Sequence, residues 1–254
     1  MNLYAHLLLV AIALLGNLSP TPVLSQDQPS GAIRVKVKLD RDAPSLPRIL
    51  PDKNIEFCGA EILDPILLAT DRSIGNAVVS IDWQGKTPEY TEKKSISLQS
   101  KHCMLEPRIQ TARTGMYLVL NSGDEITHNP HGWWNDTHTV FNLTLLDKSL
   151  SFKRKLKRAG RYRIDCDTHS WMKAYVQVFD HPYHTVTGKD GTGLLTGVPP
   201  GTHRVKVWHE VLGEQTAQIT VNAGEEAQWE PVFALTDQRP DKLKPKTAAP
   251  WLDR

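Results

Sequence analysis

Short segments of alternating apolar and polar residues follow one another along most of the chain after residue 30. Residues 33–39, Ile-Arg-Val-Lys-Val-Lys-Leu, show the period-two pattern of a half-buried β-strand. Turn-forming sequences such as Ala159-Gly160 and Pro199-Pro200-Gly201 separate the segments, and no long stretch repeats at helical spacing. We therefore predict an all-β fold built from sandwiches. Further predicted strands are 77–83, 116–120, 139–145, 152–156, 162–166, 174–179, 203–208 and 218–221.

The first residues have the pattern of a secretory signal. Residues 7–15 form an apolar run that is too short to span a bilayer, and small or aliphatic residues follow near Ser25. We predict a signal peptide at residues 1–25 and a periplasmic or secreted location. Because no Lys or Arg precedes the apolar run, an uncleaved anchor is the alternative.

The remaining chain divides into two predicted β units and a tail. Residues 26–181 are predicted to form one unit with extra N-terminal strands, and residues 182–233 a second, smaller unit. Residues 31–83 could add their strands to either unit. Residues 234–254 are polar and rich in proline, which predicts a disordered tail.

The cysteine count bears on both stability and chemistry. An exported chain meets an oxidising compartment, where paired cysteines become disulfides and a lone thiol is at risk of oxidation. Of the three cysteines, Cys58 and Cys103 form the simplest pair, which leaves Cys166 as a thiol that a bound metal would protect. Other pairings, or free Cys58 and Cys103, stay open.

The charge pattern limits the classes of partner. A net charge of +2 argues against a dedicated nucleic-acid binder. Basic residues are nevertheless crowded before Cys166, and they would suit an acidic redox partner or an anionic membrane face; a solvated pair of strands is the alternative. These residues are Lys153, Arg154, Lys155, Lys157, Arg158, Arg161 and Arg163.

The sequence predicts a metal site. Cys166, His169 and Met172 have Cys-x-x-His-x-x-Met spacing, and His128, in Thr-His-Asn-Pro-His, would supply a second imidazole. Two imidazoles and a thiolate in a plane, with a weak thioether on the axis, suit copper in both its Cu(I) and Cu(II) states. Asn129 would fasten the two ligand-bearing loops by hydrogen bonds.

Other assignments compete at these positions. Taken singly, Cys166, His169 and Met172 could be a buried thiol, a loop residue and a core filler. Zinc is the competing metal, although Met is a poor zinc ligand. The remaining histidines near the site, His131 and His138, are predicted to be surface residues, with an accessory site as the alternative. Trp133, Trp134 and Trp171 would form an apolar rim around the metal, and Trp208 and His209 would pack between the units.

Residues 103–180, which contain these motifs, resemble the cupredoxins, and the ligand-loop spacing is closest to that of amicyanins. The resemblance implies a two-sheet Greek-key β-sandwich with copper at one end, bound by His128, Cys166, His169 and Met172. Two features depart from the pattern: Ser170 stands where proline is frequent, and Gly132-Trp133-Trp134 resembles an insertion. Further residues that carry the likeness are Gly115, Leu118, Asn121 and Gly160-Arg161-Tyr162.

The second unit resembles the carboxypeptidase regulatory-like domain, a small transthyretin-like β-sandwich without catalytic residues. The likeness rests on Val-Thr-Gly-Lys-Asp-Gly at 186–191, Val-Pro-Pro-Gly at 198–201 and Val-Lys-Val-Trp-His at 205–209. It implies a structural or docking part. The two modules together resemble bacterial exported plastocyanin-like proteins.

The leading functional hypothesis is an exported, mononuclear type 1 copper protein that transfers single electrons and is not an enzyme. The alternative is a non-redox copper carrier, or a β-sandwich binding module with a vacant site. Paired His-x-His segments for a trinuclear copper cluster are absent from the sequence, and so is the Gly-x-Ser-x-Gly elbow of hydrolases.

Overall fold

The computed structural model describes residues 29–43, 45, 48–87 and 94–235. The predicted signal peptide and nearly all of the predicted tail lie outside the described residues. Within them the regular secondary structure is almost entirely β-strand, with one short helix, α1 (Ile55–Cys58), and one 3-10 turn at Pro65–Leu67. Neither is long and apolar enough to cross a bilayer. The prediction of an all-β fold is confirmed.

The strands are numbered along the chain. They are β1 Gly31–Lys36, β2 Lys38–Leu39, β3 Arg48–Ile49, β4 Ile62–Leu63, β5 Ala69–Thr70, β6 Ser73–Ile74, β7 Val78–Ile81, β8 Ser95–Lys101, β9 Met104–Glu106, β10 Ile109–Arg113, β11 Tyr117–Ser122, β12 Pro130–Trp134, β13 His138–Asn142, β14 Ser151–Lys155, β15 Gly160–Cys166, β16 Lys173–Phe179, β17 His184–Val186, β18 Thr192–Val198, β19 Gly201–His209, β20 Gly213–Val221, β21 Glu226–Trp229 and β22 Val232–Phe233.

Two sheets pack against each other as a β-sandwich. One sheet is five-stranded, with the order β10-β16-β15-β12-β13, and the other is four-stranded, with the order β14-β11-β8-β9. In β15 the buried positions alternate, so that Tyr162, Ile164 and Cys166 point into the core that the two sheets share. The last of these inward positions, Cys166, lies at the end of the strand, which brings a thiol to one edge of the sandwich.

The N-terminal strands belong to a second core. Strand β1 pairs antiparallel with β18 and parallel with β21, and β7 pairs with β17 and β19. Ile33, Val35 and Val37 are fully buried, in one cluster with Val205 and Val207. This pairing differs from the expectation that the extra strands join the unit at 26–181, because their apolar faces are buried against C-terminal strands. The limits of the two units otherwise stay a prediction.

Residues 48–63, here named the cap, lie against the sandwich. In the sequence they stand between two parts of the second core. Strands β3 and β4 pair antiparallel on either side of α1. Ile49 is buried in the sandwich core, and a disulfide joins Cys58 of the cap to Cys103 in the turn between β8 and β9. Cys166 is the free, buried cysteine. The cap is therefore attached to the sandwich both by packing and by a covalent bond.

A buried charged triad joins the sandwich to the second core. Arg108 precedes β10, Glu210 follows β19, and Asp64 caps the 3-10 turn by accepting a hydrogen bond from the Ile66 N–H. The Arg108 guanidinium bonds both carboxylate oxygens of Glu210 and lies 3.2 Å from Asp64 Oδ1. The three side chains are at most 4% exposed, so each charge depends on the others for compensation.

Replacing Arg108 by Met should lower the free energy of unfolding by about 3 to 5 kcal/mol, because two buried carboxylates lose their counter-charge. Urea denaturation measures the loss. Arg34→Met is the matched control, since Arg34 also bonds a glutamate, Glu226, through two nitrogens but is 43% exposed. It should lose much less stability. Equal losses in the two variants would contradict the role given to the triad.

Candidate metal centre

Three predicted ligands come together at one end of the sandwich. The ligating atoms of His128, Cys166 and His169 all lie within 4.8 Å of one another. His128 Nδ1 is 3.2 Å from His169 Nδ1, and Cys166 Sγ is 3.7 Å from His169 Nδ1. The three residues are 1%, 3% and 0% exposed. The structure thus places two imidazoles and one thiol around a single buried point.

Strand pairing explains this convergence. His128 forms a β-bridge with Leu145 just before β12, and β12 pairs with β15 so that Pro130 lies opposite Cys166. His128 and Cys166 are therefore neighbours across adjacent strands, although they are far apart in sequence. His169 follows in the loop between β15 and β16.

Met172 closes the ligand loop. Its N–H donates to the carbonyl of His169, and its carbonyl accepts from the N–H of Cys166, at 3.0 and 3.2 Å. The side chain is fully buried in the sandwich core. The structure places Met172 in the loop that carries two of the three clustered donors, and its role as the axial ligand stays a prediction.

Both imidazoles direct Nδ1 inward and use Nε2 for a hydrogen bond on the outer side. His128 Nε2 lies 3.0 Å from Asp124 Oδ2, and His169 Nε2 lies 2.9 Å from Asn54 Oδ1. Because a carboxylate or carbonyl oxygen accepts, each Nε2 donates its proton, and in the neutral ring this leaves a lone pair on Nδ1. Two such lone pairs face each other at 3.2 Å, an arrangement that a shared proton or a bound cation stabilises.

Asp124 supports His128 from the loop between β11 and β12. Its two carboxylate oxygens accept the backbone N–H groups of His102 and Cys103, at 2.7 and 3.0 Å. Burial opposes the charge, but the hydrogen bonds from His128 and from these two N–H groups keep the pKa of Asp124 below its usual value. Burial likewise opposes the charge on His128, and the nearby Asp124 and Cys166 raise its pKa.

The environment of Cys166 favours the thiolate. Burial alone would raise its pKa, but hydrogen bonds involving His128, His169 and the N–H of Asn129 lower the pKa of Cys166 to about 6. The lowered pKa favours the thiolate, which is the form that binds metals. A soft thiolate beside two imidazole lone pairs is a donor set that fits copper.

Asn129 links the two loops that carry the ligands. Its N–H lies 3.3 Å from Cys166 Sγ, and its carbonyl accepts from the N–H of Asp167 at 3.0 Å. The side-chain amide donates to the carbonyl of Leu143 and, at 3.1 Å, to Asn142 Oδ1. These bonds hold the His128 segment against the Cys166 loop.

The other predicted residues near the site differ in position. His131 stacks on Trp133 and bonds the Asp167 carboxylate, and His138 is exposed. Neither belongs to the cluster of ligating atoms. Among the three tryptophans of the predicted rim, Trp171 contacts a clustered histidine, with its ring centroid 5.1 Å from that of His169.

Trp208 and His209 lie where the sandwich meets the second core. Trp208 makes an edge contact with Tyr175 of β16, at 5.6 Å between ring centroids. His209 is fully buried, and desolvation lowers its pKa to about 4. The position of Trp208 agrees with the predicted packing between the units.

Sequence reasoning missed Asp124 and Asn54 as partners of the histidines. The sequence around Asp124 indicates only a turn, and Asn54 lies 115 residues from His169. No periodicity links either residue to a ligand, since both contacts depend on tertiary structure. The four-residue interval between Asp124 and His128 is the one local signal available.

No family model and no curated protein matches the chain. Solved structures similar to it include cupredoxins. A purple cupredoxin from Nitrosopumilus maritimus is 17% identical over 33% of this chain and 98% of its own, with a TM-score of 0.29. A point mutant of amicyanin in its reduced Cu(I) form is 15% identical, and the match covers 40% of this chain and 98% of the amicyanin, with a TM-score of 0.31. A copper-containing nitrite reductase from Thermus scotoductus SA-01 is 14% identical, and the match covers 38% of this chain and 25% of the reductase, with a TM-score of 0.31.

These matches have low TM-scores and leave most of this chain uncovered. The resemblance of the second unit to a carboxypeptidase regulatory-like domain stays a prediction. What the site can bind therefore depends on its own side chains.

Asp124→Asn should weaken metal binding by about 10- to 100-fold, because the amide provides a poorer acceptor for His128 Nε2–H. It should also lower the unfolding free energy of the metal-free protein by about 2 kcal/mol, the typical contribution of a hydrogen bond to a charged group. Competition with a chelator and urea denaturation measure the two effects. Glu125→Gln is the control, since the side chain of Glu125 is 75% exposed. A metal affinity equal to that of the control would contradict the role of Asp124.

Proposed function

We propose that this protein is an exported mononuclear copper protein that transfers single electrons between redox partners and has no catalytic residues of its own. The observation that carries the proposal is the buried cluster of His128, Cys166 and His169, with Nδ1, Sγ and Nδ1 facing one another. Met172, on the same loop, is assigned as the axial donor.

The donor set favours copper over zinc. A metal ion held by two imidazoles and one thiolate with a weak thioether can exchange one electron, as copper does between Cu(I) and Cu(II). Zinc has no redox chemistry and rarely accepts Met as a ligand. In this proposal Cys166, through its thiolate, and the two histidines would hold the ion, which would supply the one-electron chemistry.

The rigid placement of the ligands favours a function in electron transfer over a function as a copper carrier. Each of the three clustered side chains is nearly inaccessible, and each histidine is fixed on its outer side by a hydrogen bond. A site that is held in one geometry needs little rearrangement when an electron arrives. A carrier that must release its ion gains nothing from such burial.

The proposed partner is a protein with an acidic docking face. It would meet the basic residues of β14 and the turn after it, where Lys153, Lys155, Lys157 and Arg158 are exposed. Charge complementarity of this kind mainly raises the rate of encounter. The proposed location is periplasmic or secreted, which agrees with a disulfide between Cys58 and Cys103.

Cys166→Ser should abolish the strong visible absorption that the wild-type protein gains on loading with Cu(II), because that absorption requires a copper–thiolate bond. Visible spectroscopy with a reductant titration measures the loss and the reversibility of the wild-type signal. His138→Gln is the control, since the exposed His138 lies outside the cluster. A pale wild-type adduct, or intact absorption in Cys166→Ser, would contradict the proposal.

Met172→Leu should keep the absorption and raise the reduction potential by roughly 60 mV or more, which is a tenfold shift in the Cu(I)/Cu(II) ratio. Loss of the weak axial donor and a more apolar surrounding both favour the less charged Cu(I) site. Cyclic voltammetry measures the potential. Met104→Leu, in the same core and 5% exposed, should leave it unchanged. A shift of equal size in both variants would contradict the axial role of Met172.

A further inference from the structure

The outer nitrogen of His169 is held by a residue of the cap. His169 Nε2 lies 2.9 Å from Oδ1 of Asn54, across 115 residues of sequence. His169 is fully buried, whereas Asn54 is exposed. The hydrogen bond therefore connects the buried ring to a surface segment, and it fixes the tautomer in which Nδ1 keeps its lone pair toward Cys166.

The backbone of the cap determines where the Asn54 side chain points. Asn54 has a φ of 51°, in the left-handed region that asparagine tolerates better than most residues. Its carbonyl accepts the N–H groups of Phe57 and Cys58 at 2.9 and 2.8 Å. The turn that orients Asn54 thus ends at a disulfide-bonded cysteine.

The other half of that disulfide contacts the environment of both histidines. The N–H of Cys103 donates to Asp124, which in turn accepts from His128. The carbonyl of Cys103 accepts from Trp171 Nε1 at 2.9 Å, and the Trp171 ring packs against His169. One disulfide therefore ties together the outer hydrogen-bond partners of the two predicted imidazole ligands.

We propose that Asn54 is a positioning residue for His169 and that the Cys58–Cys103 disulfide holds it in place. The effect on copper release rests on the proposed copper function, whereas the hydrogen bond between Asn54 and His169 does not. With Nε2 bonded to Asn54, the His169 ring cannot rotate away from Cys166 without breaking a hydrogen bond, so metal release is slow. The cap is the element that keeps the ligand in position.

Asn54→Gly tests the proposal, because glycine suits a positive φ and removes only the acceptor side chain. Copper transfer to a soluble chelator should become about 10- to 100-fold faster, the usual consequence of losing an outer partner of a metal ligand. In the metal-free protein, ¹⁵N NMR of the His169 ring should show loss of the single Nε2–H tautomer. Asn54→Asp retains an acceptor oxygen and should restore both readouts.

Asn76→Gly is the matched control, since Asn76 also has a positive φ, of 59°, but lies next to β7 of the second core. It should leave copper release and the His169 tautomer unchanged. If Asn54→Gly released copper at the wild-type rate and kept the wild-type tautomer of His169, the proposal would be overturned while the copper function stayed intact. A wild-type protein without thiolate absorption would instead overturn the proposed function, and the NMR result on metal-free protein would still decide the role of Asn54.

A double variant, Cys58→Ser with Cys103→Ser, tests the contribution of the disulfide. Copper release should accelerate in the same direction as in Asn54→Gly, because the turn that orients Asn54 loses its covalent attachment. Release at the wild-type rate would overturn the part assigned to the disulfide and confine the positioning role to the Asn54 hydrogen bond.

Discussion

The pairing of β12 with β15 is the constraint on which the metal centre depends. Its register puts Pro130 opposite Cys166, and so brings His128 to the thiol from a distant part of the chain. Side chains alternate between the faces of a sheet, so a slip of one residue would turn Cys166 away from the core. Buried neighbours in β15, Tyr162 and Ile164, fix the register because any slip would expose them.

Burial of the donors creates an electrostatic problem that the surrounding hydrogen bonds resolve. A buried thiolate is unfavourable unless nearby groups compensate its charge. The N–H of Asn129, together with a proton or cation shared by the two Nδ1 atoms, does so for Cys166, and the Asp124 carboxylate balances His128. Each of these groups also restricts the orientation of a ligand. Charge compensation and geometric precision therefore come from the same contacts.

The sequence was informative where structure is local and uninformative where it depends on pairing. Alternation of apolar residues predicted strands, and the Cys-x-x-His-x-x-Met spacing predicted a loop with several donors, because both are set by neighbouring residues. Alternation shows which side of a strand is buried but not which strand lies beside it. The partners of residues 31–39 therefore could not be identified, and the contacts of Asn54 and Asp124 with the histidines could not be seen.

The path of the chain gives the second core a structural role at the metal centre. The chain leaves that core after β2, forms the cap on the sandwich, and returns through the 3-10 turn to β5, β6 and β7. At the return, Asp64 joins the buried triad with Arg108 of the sandwich and Glu210 of the second core. Both ends of the cap are thus continuous with the second core, while its middle is fixed by the disulfide. Asn54, the residue proposed to position His169, therefore lies in a segment that is connected along the chain to the second core and through the disulfide to the sandwich.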